Sequence, residues 1–486
     1  MSIAYRTRFK IKQEAKSKEE EEAITRWLNL PEEVSDEIFL KLPGNSILSS
    51  RCACKLFNTR LSKRIFIKNH VNLWIQTKNS PKLLFSQSIR DNPPMIYSIP
   101  IDFPSISSQL SSLSSVVCDG AVLMNYPFLS NKTHYHQYLG SCNGLICLKI
   151  DRVDYEREHL CTNYFSVLNP FTRQFKEFRM QTVSTFCYGI AYGFGYDSEI
   201  DDYKLVAISD NDEPTGCSSI EVYAVRSNSW SRIQCTVKYS FYVGKRSRGV
   251  FLNGGLHWLG WIGTRNKSSE AIFCFDISNE IVVVIPLPEN IIPPVDFLGQ
   301  VYKNLGVWGD SICVAFVYDR LRLDVWVMLK YGLKESWTKL FTTTRLPRSN
   351  RMPFWKPLLC FNNGKILVDY GLEQLVLLDT TSEALKSVVV RDITMGDNRE
   401  IYVETIASLG SSTYLERRNT NGTVKNRKRR LLRHVINNPN QVPELSGSAL
   451  VELALQTLAC FNFKAVQSFM DAYLLMSLKH LLPVCV

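Results

Sequence analysis

The segments IEVYAVRSNSW (residues 220–230) and IFCFDISNEIVVV (residues 272–284) read alike: an apolar run, a polar turn, and a second run. SVLNPFTRQF (166–175), LDVWVMLKYGLKESW (323–337) and LVLLDTTSEALKSV (375–388) repeat the pattern. Short β-branched or aromatic runs bounded by Asn, Asp, Gly, Ser and Pro are the signature of strands joined by turns. With Leu168, Tyr223, Phe275, Val327 and Leu378 as equivalent points, the intervals are 55, 52, 52 and 51 residues.

A second motif falls between these segments, an Asn, Gly or Asp turn leading into an apolar strand: SCNGLICL (141–148), NGGLHWL (253–259), GDSICVAF (309–316) and NGKILVDY (363–370). Two hairpins per period make four strands. Four-stranded units repeating at about 50 residues are propeller blades, which dispose of open sheet edges by closing into a ring. About six blades are expected over residues 80–410. Lys82–Pro100 and the late run Ile401, Tyr402, Val403, Glu404 and Thr405 are expected to share one blade and so close the ring.

Outward from the repeat the composition changes twice. Residues 1–25 form a charged leader with a Glu19–Glu22 run, expected to be a solvated, disordered arm. Residues 26–72 show helical periodicity. Pro31 suits a first turn, Val34, Ile38 and Leu42 recur at every fourth position, and Pro43-Gly44 stops the run. Ser46 suits the cap of a second short helix, and Lys55, Leu56 and Phe57 lead to a third containing Leu61. Three helices in so few residues bury too little surface to be secure alone, which points to a partner. Residues 411–486 are expected to be a basic linker, with the run Lys425–Arg430, followed by an amphipathic helix from Ala449 to Leu482.

The composition is that of a folded protein: 45% hydrophobic, 11% aromatic and 21% charged. The N-terminus has no apolar core of the kind a secretory signal needs, and no run approaches the roughly 20 apolar residues of a spanning helix. The fourteen cysteines lie in apolar runs without a CxxC pair, so they read as reduced core residues, and the Asn421 sequon reads as unused. Of the net charge of +11, residues 416–486 carry six, with ten Lys or Arg against four Asp or Glu. The basic excess is thus mostly a tail property, which weighs against direct nucleic-acid binding by the repeat.

Candidates for bond chemistry are sparse. His134 and His136 lack a third ligand at a telling spacing, and Gly193 and Gly195 lack the third glycine and following helix of a dinucleotide site. Asp201-Asp202 reads as a turn. Trp230, Trp258, Trp308, Trp326 and Trp337 invite a sugar or peptide platform, but recurrence within blades favours core packing. No nucleophile, base and oxyanion set assembles. Neither a cofactor nor a metal is expected.

LNLPEEVSDEIFLKLPGNSILSSRCACKLFNTRLSKRIFIKNH (28–70) resembles an F-box, whose pattern runs Leu-Pro, an Ile-Leu-type helix, Leu-Pro, a Leu-rich helix, then Cys-Lys-x-aromatic. Leu30, Pro31, Ile38, Leu42, Pro43, Leu48, Cys52, Cys54, Lys55 and Phe57 occupy those places. Phe57 stands where the family usually has Trp, and Phe39 where Leu is commoner. Residues 138–409 resemble the F-box-associated domain of plants, near the S-locus F-box-like group. That likeness lies in SCNGLICL, LNPFTRQF, YGFGYDSEIDDYKLV, VFLNGGLHWL, IFCFDIS and VWVMLKYGLKESWTKLF.

The resemblance implies a non-catalytic subunit of a ubiquitin ligase, cytoplasmic or nuclear. Its F-box residues would dock a Skp-type adaptor, and through it a cullin scaffold, while loops of the rigid repeat capture a target protein. Two other readings stand beside it: a glycan- or ligand-binding propeller, and a nucleic-acid-associated repeat protein using the basic tail.

Overall fold

Residue 31 opens the part of the chain that the computed structural model describes. It covers residues 31–410 except 54, 78–80, 88–94, 102–114, 125, 127–132, 155–159, 180–189, 213–216, 242–247, 265–266, 290, 292, 294–297, 319–320, 348–353, 362–363 and 372–373. The expected leader, Leu30, Cys54, the sequon and the basic and helical tail therefore lie outside the described residues. The chain divides into a helical unit reaching Leu73 and a β unit from Trp74.

The helical unit holds α1 (Glu32–Leu40), α2 (Gly44–Ala53), α3 (Lys55–Leu61) and α4 (Arg64–Gln76), of which the last runs past the unit boundary. Pro31 sits at the N-cap of α1, where its missing N–H costs nothing, and Glu32 and Glu33 favour the positive end of the helix. Two expectations are corrected. Helix α2 begins at Gly44, directly after Pro43, so Ser46 lies inside its first turn and does not cap it. The helical run also continues past Ser62 and Lys63 into a fourth helix, because Phe66, His70 and Val71 recur on one buried face.

The β unit consists of six sheets. Five follow the chain. They are β5 (Thr133–Cys142) to β8 (Gln174–Arg179), β9 (Ile190–Asp197) to β12 (Ser229–Gln234), β13 (Tyr239–Phe241) to β17 (Ile281–Ile285), β18 (Val301–Trp308) to β21 (Trp337–Thr343), and β22 (Trp355–Cys360) to β25 (Leu385–Val390). The sixth is ordered β26 (Met395–Tyr402), β1 (Lys82–Gln87), β2 (Ile96–Pro100), β4 (Val122–Met124), so the last strand of the described chain is the first strand of its first blade. Lys82 pairs with Tyr402 and Leu83 with Ile401. The strands nearest the axis, β26, β5, β9, β14 (Val250–Leu252), β18 and β22, neighbour one another in turn and back to β26. This is a closed six-bladed propeller.

All five equivalent points of the repeat fall in third strands: Leu168 in β7 (Leu160–Asn169), Tyr223 in β11 (Cys217–Ala224), Phe275 in β16 (Lys267–Asp276), Val327 in β20 (Arg322–Met328) and Leu378 in β24 (Gln374–Asp379). The Asn/Gly turns open second strands. Asn143-Gly144 and Asn253-Gly254 both have positive φ, 53° and 82°, then 50° and 75°. That is the two-residue hairpin turn whose twist matches that of the strands.

Blade cores lie between sheets, where apolar side chains of adjacent blades interdigitate. One cluster joins Ala191, Val206 and Val222 to Leu256, Trp258, Phe273 and Phe275. Gly193 and Gly195 serve this contact. A Cβ at Gly193 would stand 2.6 Å from Trp258 Cζ2, and one at Gly195 would stand 2.4 Å from Ile277 Cδ1. The strand role expected for these glycines is what the structure has.

A feature without a sequence signal is β3 (Ser115–Cys118). Between β2 and β4 the chain leaves the closing blade and adds a fifth, parallel strand to the outer edge of its neighbour, with Val116 beside Val388 on β25. Arg391 N donates to Cys118 O at 3.1 Å, and the Arg391 and Asp119 side chains pair at 2.6 Å. The closing blade is thus tied to the next blade as well as to the end of the chain.

Candidate functional site

In the helical unit, Ile38, Phe39, Ile47, Leu61, Phe66 and Val71 are buried, and Phe39 meets the half-buried Phe57 edge to face at 5.3 Å between ring centroids. Polar groups fix the turns between helices. Arg60 Nε donates to Asp36 at 2.7 Å, Arg51 Nη2 donates to Leu61 O at 2.6 Å, and His70 Nε2 donates to Leu42 O at 2.9 Å. Burial lowers the His70 pKa and so favours the neutral ring, while the bond donated to Leu42 O, which either protonation state can make, offsets part of that effect.

Around this core Pro31, Pro43, Cys52 and Lys55 are exposed, and Leu42 and Leu48 are half-buried, whereas Ile38 faces inward. Sequence reading passed over Leu56, 53% exposed, and Ile65, 63% exposed. Both neighbour polar residues in sequence, so only the observed helix faces set them apart.

In the propeller, charged side chains fasten the scaffold. Lys204 is buried and bridges blades, reaching Asp197 at 2.9 Å, Glu280 at 2.8 Å and the Ile277 carbonyl at 2.8 Å. Burial disfavours its ammonium, but hydrogen bonds to Glu280 and Asp197 outweigh this and raise its pKa. Arg399 and Asp369, both buried, pair between the closing blade and its neighbour, as do Lys303 and Glu270 between two others. Such pairs hold position more than they add stability.

Asp201 lies in a turn, as expected, at φ 52°, whereas Asp202 already opens the strand Asp202–Asp212, opposite Asp197. Asp202 also has a duty that spacing did not reveal. In three blades the residue after the equivalent point caps its own turn. Asn169 accepts from Phe171 N and Thr172 N, Asp276 from Ser278 N and Asn279 N, and Asp379 from Thr381 N and Ser382 N. The corresponding residue in the next blade after Asn169 is Ala224, which has no oxygen to offer. Asp202 replaces it from across the sheet, accepting from Arg226 N at 2.8 Å and Ser227 N at 3.2 Å.

Trp258 and Trp337 are buried, donating to Tyr192 O at 3.1 Å and Pro286 O at 3.0 Å, and Trp230 lies against Tyr223 and Phe178. Trp308 is half-buried near Phe341, and Lys339 lies over the Trp326 ring. They pack the blades and do not assemble into a platform. His136 is buried beside Tyr138, while the His134 side chain lies outside the described residues. Among the described residues, no three His, Cys, Asp or Glu side chains gather as metal ligands. No described helix is long and apolar enough to cross a membrane. Cys142, Cys147 and Cys313 are buried, and burial raises their thiol pKa values, which suppresses the reactive thiolate.

The loops joining second to third strands fall largely at 88–94, 155–159, 213–216, 265–266, 319–320 and 372–373, outside the described residues. The opposite end carries the short hairpin turns described above.

Residues 27–69 match the F-box domain, and residues 69–414 match the F-box associated beta propeller domain. The chain belongs to the F-box-associated β-propeller family. Its F-box thus comprises the helices α1 to α3 and the start of α4. Two curated F-box proteins of Arabidopsis thaliana are similar along most of their length. F-box protein CPR1 is 26% identical over 399 residues, covering 78% of this chain and 88% of the relative. F-box/kelch-repeat protein At3g23880 is 25% identical over 385 residues, covering 78% and 96%. The order of F-box and propeller expected from the sequence is the order observed.

Proposed function

We propose that this F-box protein is the substrate-recognition subunit of a Skp–cullin–F-box ubiquitin ligase. The observation that carries this reading is the surface of the helical unit: it keeps a small core yet leaves Leu56 and Ile65 largely in water, and it also exposes Pro31, Pro43, Cys52 and Lys55. Apolar side chains on so small a unit gain free energy when a partner's groove covers them. In this reading Leu30, Pro31, Leu42, Pro43, Leu48, Cys52, Cys54, Lys55 and Phe57 form the adaptor face, and Ile38 shapes it from beneath. Functional segments at 26–72 and 80–410 divide the labour.

The propeller would hold a target protein while catalysis occurs on other subunits, the tether raising the local concentration of target lysines toward the millimolar range expected of short linkers. A cytoplasmic or nuclear setting suits such a complex. The test is co-purification with a Skp-type adaptor. Leu30→Asp, and separately Pro31→Ala combined with Leu42→Asp, should abolish it while the thermal transition of the propeller stays in place. Undiminished capture by correctly folded variants would reject the assignment.

A further inference from the structure

The outer strands of the six blades are treated differently. β8 carries Lys176, Glu177 and Arg179, β12 carries Arg232 among serines, and β21 carries Lys339 among threonines. β25 is covered by β3, and β4 is only three residues long. Charge, cover and shortness are the usual protections of a sheet edge. β17 has none of them. Its sequence is Ile281-Val282-Val283-Val284-Ile285, it pairs only with β16 among the described residues, and Ile281, Val283 and Val284 are 54%, 48% and 45% exposed.

We infer that β17 is a homodimerisation edge, pairing antiparallel with β17 of a second copy about a two-fold axis at Val283. The segment reads the same in both directions. An axis through Val283 sets Ile281 opposite Ile285 of the second copy, Val282 opposite Val284, and Val283 opposite itself. A two-fold interface requires such self-complementarity, which an unrelated peptide would have to supply independently. The flanks agree: the same register sets Glu280 opposite Pro286, so no like charges meet, and Pro286 has no N–H with which to extend the ladder. Because the pairing consumes both edges, assembly stops at two copies. The interface is small and belongs to the weak, concentration-dependent class.

Sedimentation of the full chain from about 1 to about 100 μM, a span suited to weak interfaces, tests this. The wild type should pass from monomer to dimer within that span. Val283→Lys and Val283→Glu should each weaken dimerisation by about tenfold or more, since like charges then face one another across the axis. Their circular dichroism and melting temperatures should match the wild type, because the side chain is half in water. Mixing the two variants should restore a dimer, as Lys then faces Glu. A wild type that stays monomeric, a dimer that survives both single variants, species larger than a dimer, or a mixture that stays monomeric would each overturn the inference.

Discussion

Asn398 Nδ2 donates to the carbonyl of His136 at 2.7 Å, across 262 positions of sequence. The same side chain accepts from Tyr138 N at 3.1 Å and from Arg248 Nη2 at 3.0 Å. One buried amide therefore acts as a piece of backbone between β26 and β5, joining the end of the propeller to the blade after its first. Ser141 Oγ donates to Ile401 O at 2.7 Å, and Asn169 Nδ2 donates to the carbonyls of Thr405 and Ala407, so the following segment is held as well.

Asn398→Leu should consequently cost about 3 kcal/mol, because it strands a buried N–H, a carbonyl and part of a guanidinium together. Chemical denaturation monitored by tryptophan fluorescence would measure it. A midpoint equal to that of the wild type would show that closure rests on strand pairing alone.

Gly193→Ala places a methyl group 2.6 Å from Trp258 Cζ2 and about 3 Å from Leu256, both fully buried. Neither neighbour is the free end of a flexible chain, so the blades must separate slightly, at a cost of about 1–3 kcal/mol. Thermal melting should fall, with a change in Trp258 emission. Gly254→Ala is the control. Its Cβ meets nothing, and only the strain of a positive φ of 75° remains.

Asp202→Ala should destabilise by about 1 kcal/mol by removing the acceptor for Arg226 N and Ser227 N. Ala224→Asp should recover part of that loss in the double variant, since it restores the acceptor that Asn169, Asp276 and Asp379 supply in three other blades. If the double variant melts no higher than Asp202→Ala alone, the two positions are not equivalent.

The blades were legible because each repeats its turn chemistry at a nearly fixed interval, and an Asn-Gly pair leaves the backbone few alternatives. The F-box was legible through the spacing of Leu, Pro and Cys. What escaped the sequence was geometry created only by closure. β3 is a short run, Ser115–Cys118, with nothing local to announce a parallel partner some 270 residues away. Asp202 looked like an ordinary turn residue because its partners are contributed by another hairpin. Ile38 resembles its neighbours in the motif, and only the helix faces separate it from the exposed Leu56 and Ile65. The turn role of Asp201 and the packing role of the tryptophans needed only local chemistry and were legible in the sequence.

The propeller should lose stability in mild acid through His257. This ring is fully buried. Its Nδ1 donates to Val250 O at 3.1 Å, and its Nε2 accepts from the Tyr331 hydroxyl at 2.5 Å, an arrangement that only the neutral ring allows. Burial lowers its pKa to about 4, against 6.5 for an unperturbed histidine. The unfolded chain therefore binds this proton first. The contribution is complete above pH 6.5 and drains away as pH falls from there to about 4, amounting in full to roughly 3 kcal/mol. Carboxylates held below their ordinary range, such as Asp276, add their losses at lower pH. Comparison with His257→Gln isolates the histidine. The variant should be less stable than the wild type at pH 7, and the gap between their denaturation midpoints should narrow as pH approaches 4.5. A gap that stays constant over this range would mean that His257 takes up its proton in the folded ring without penalty.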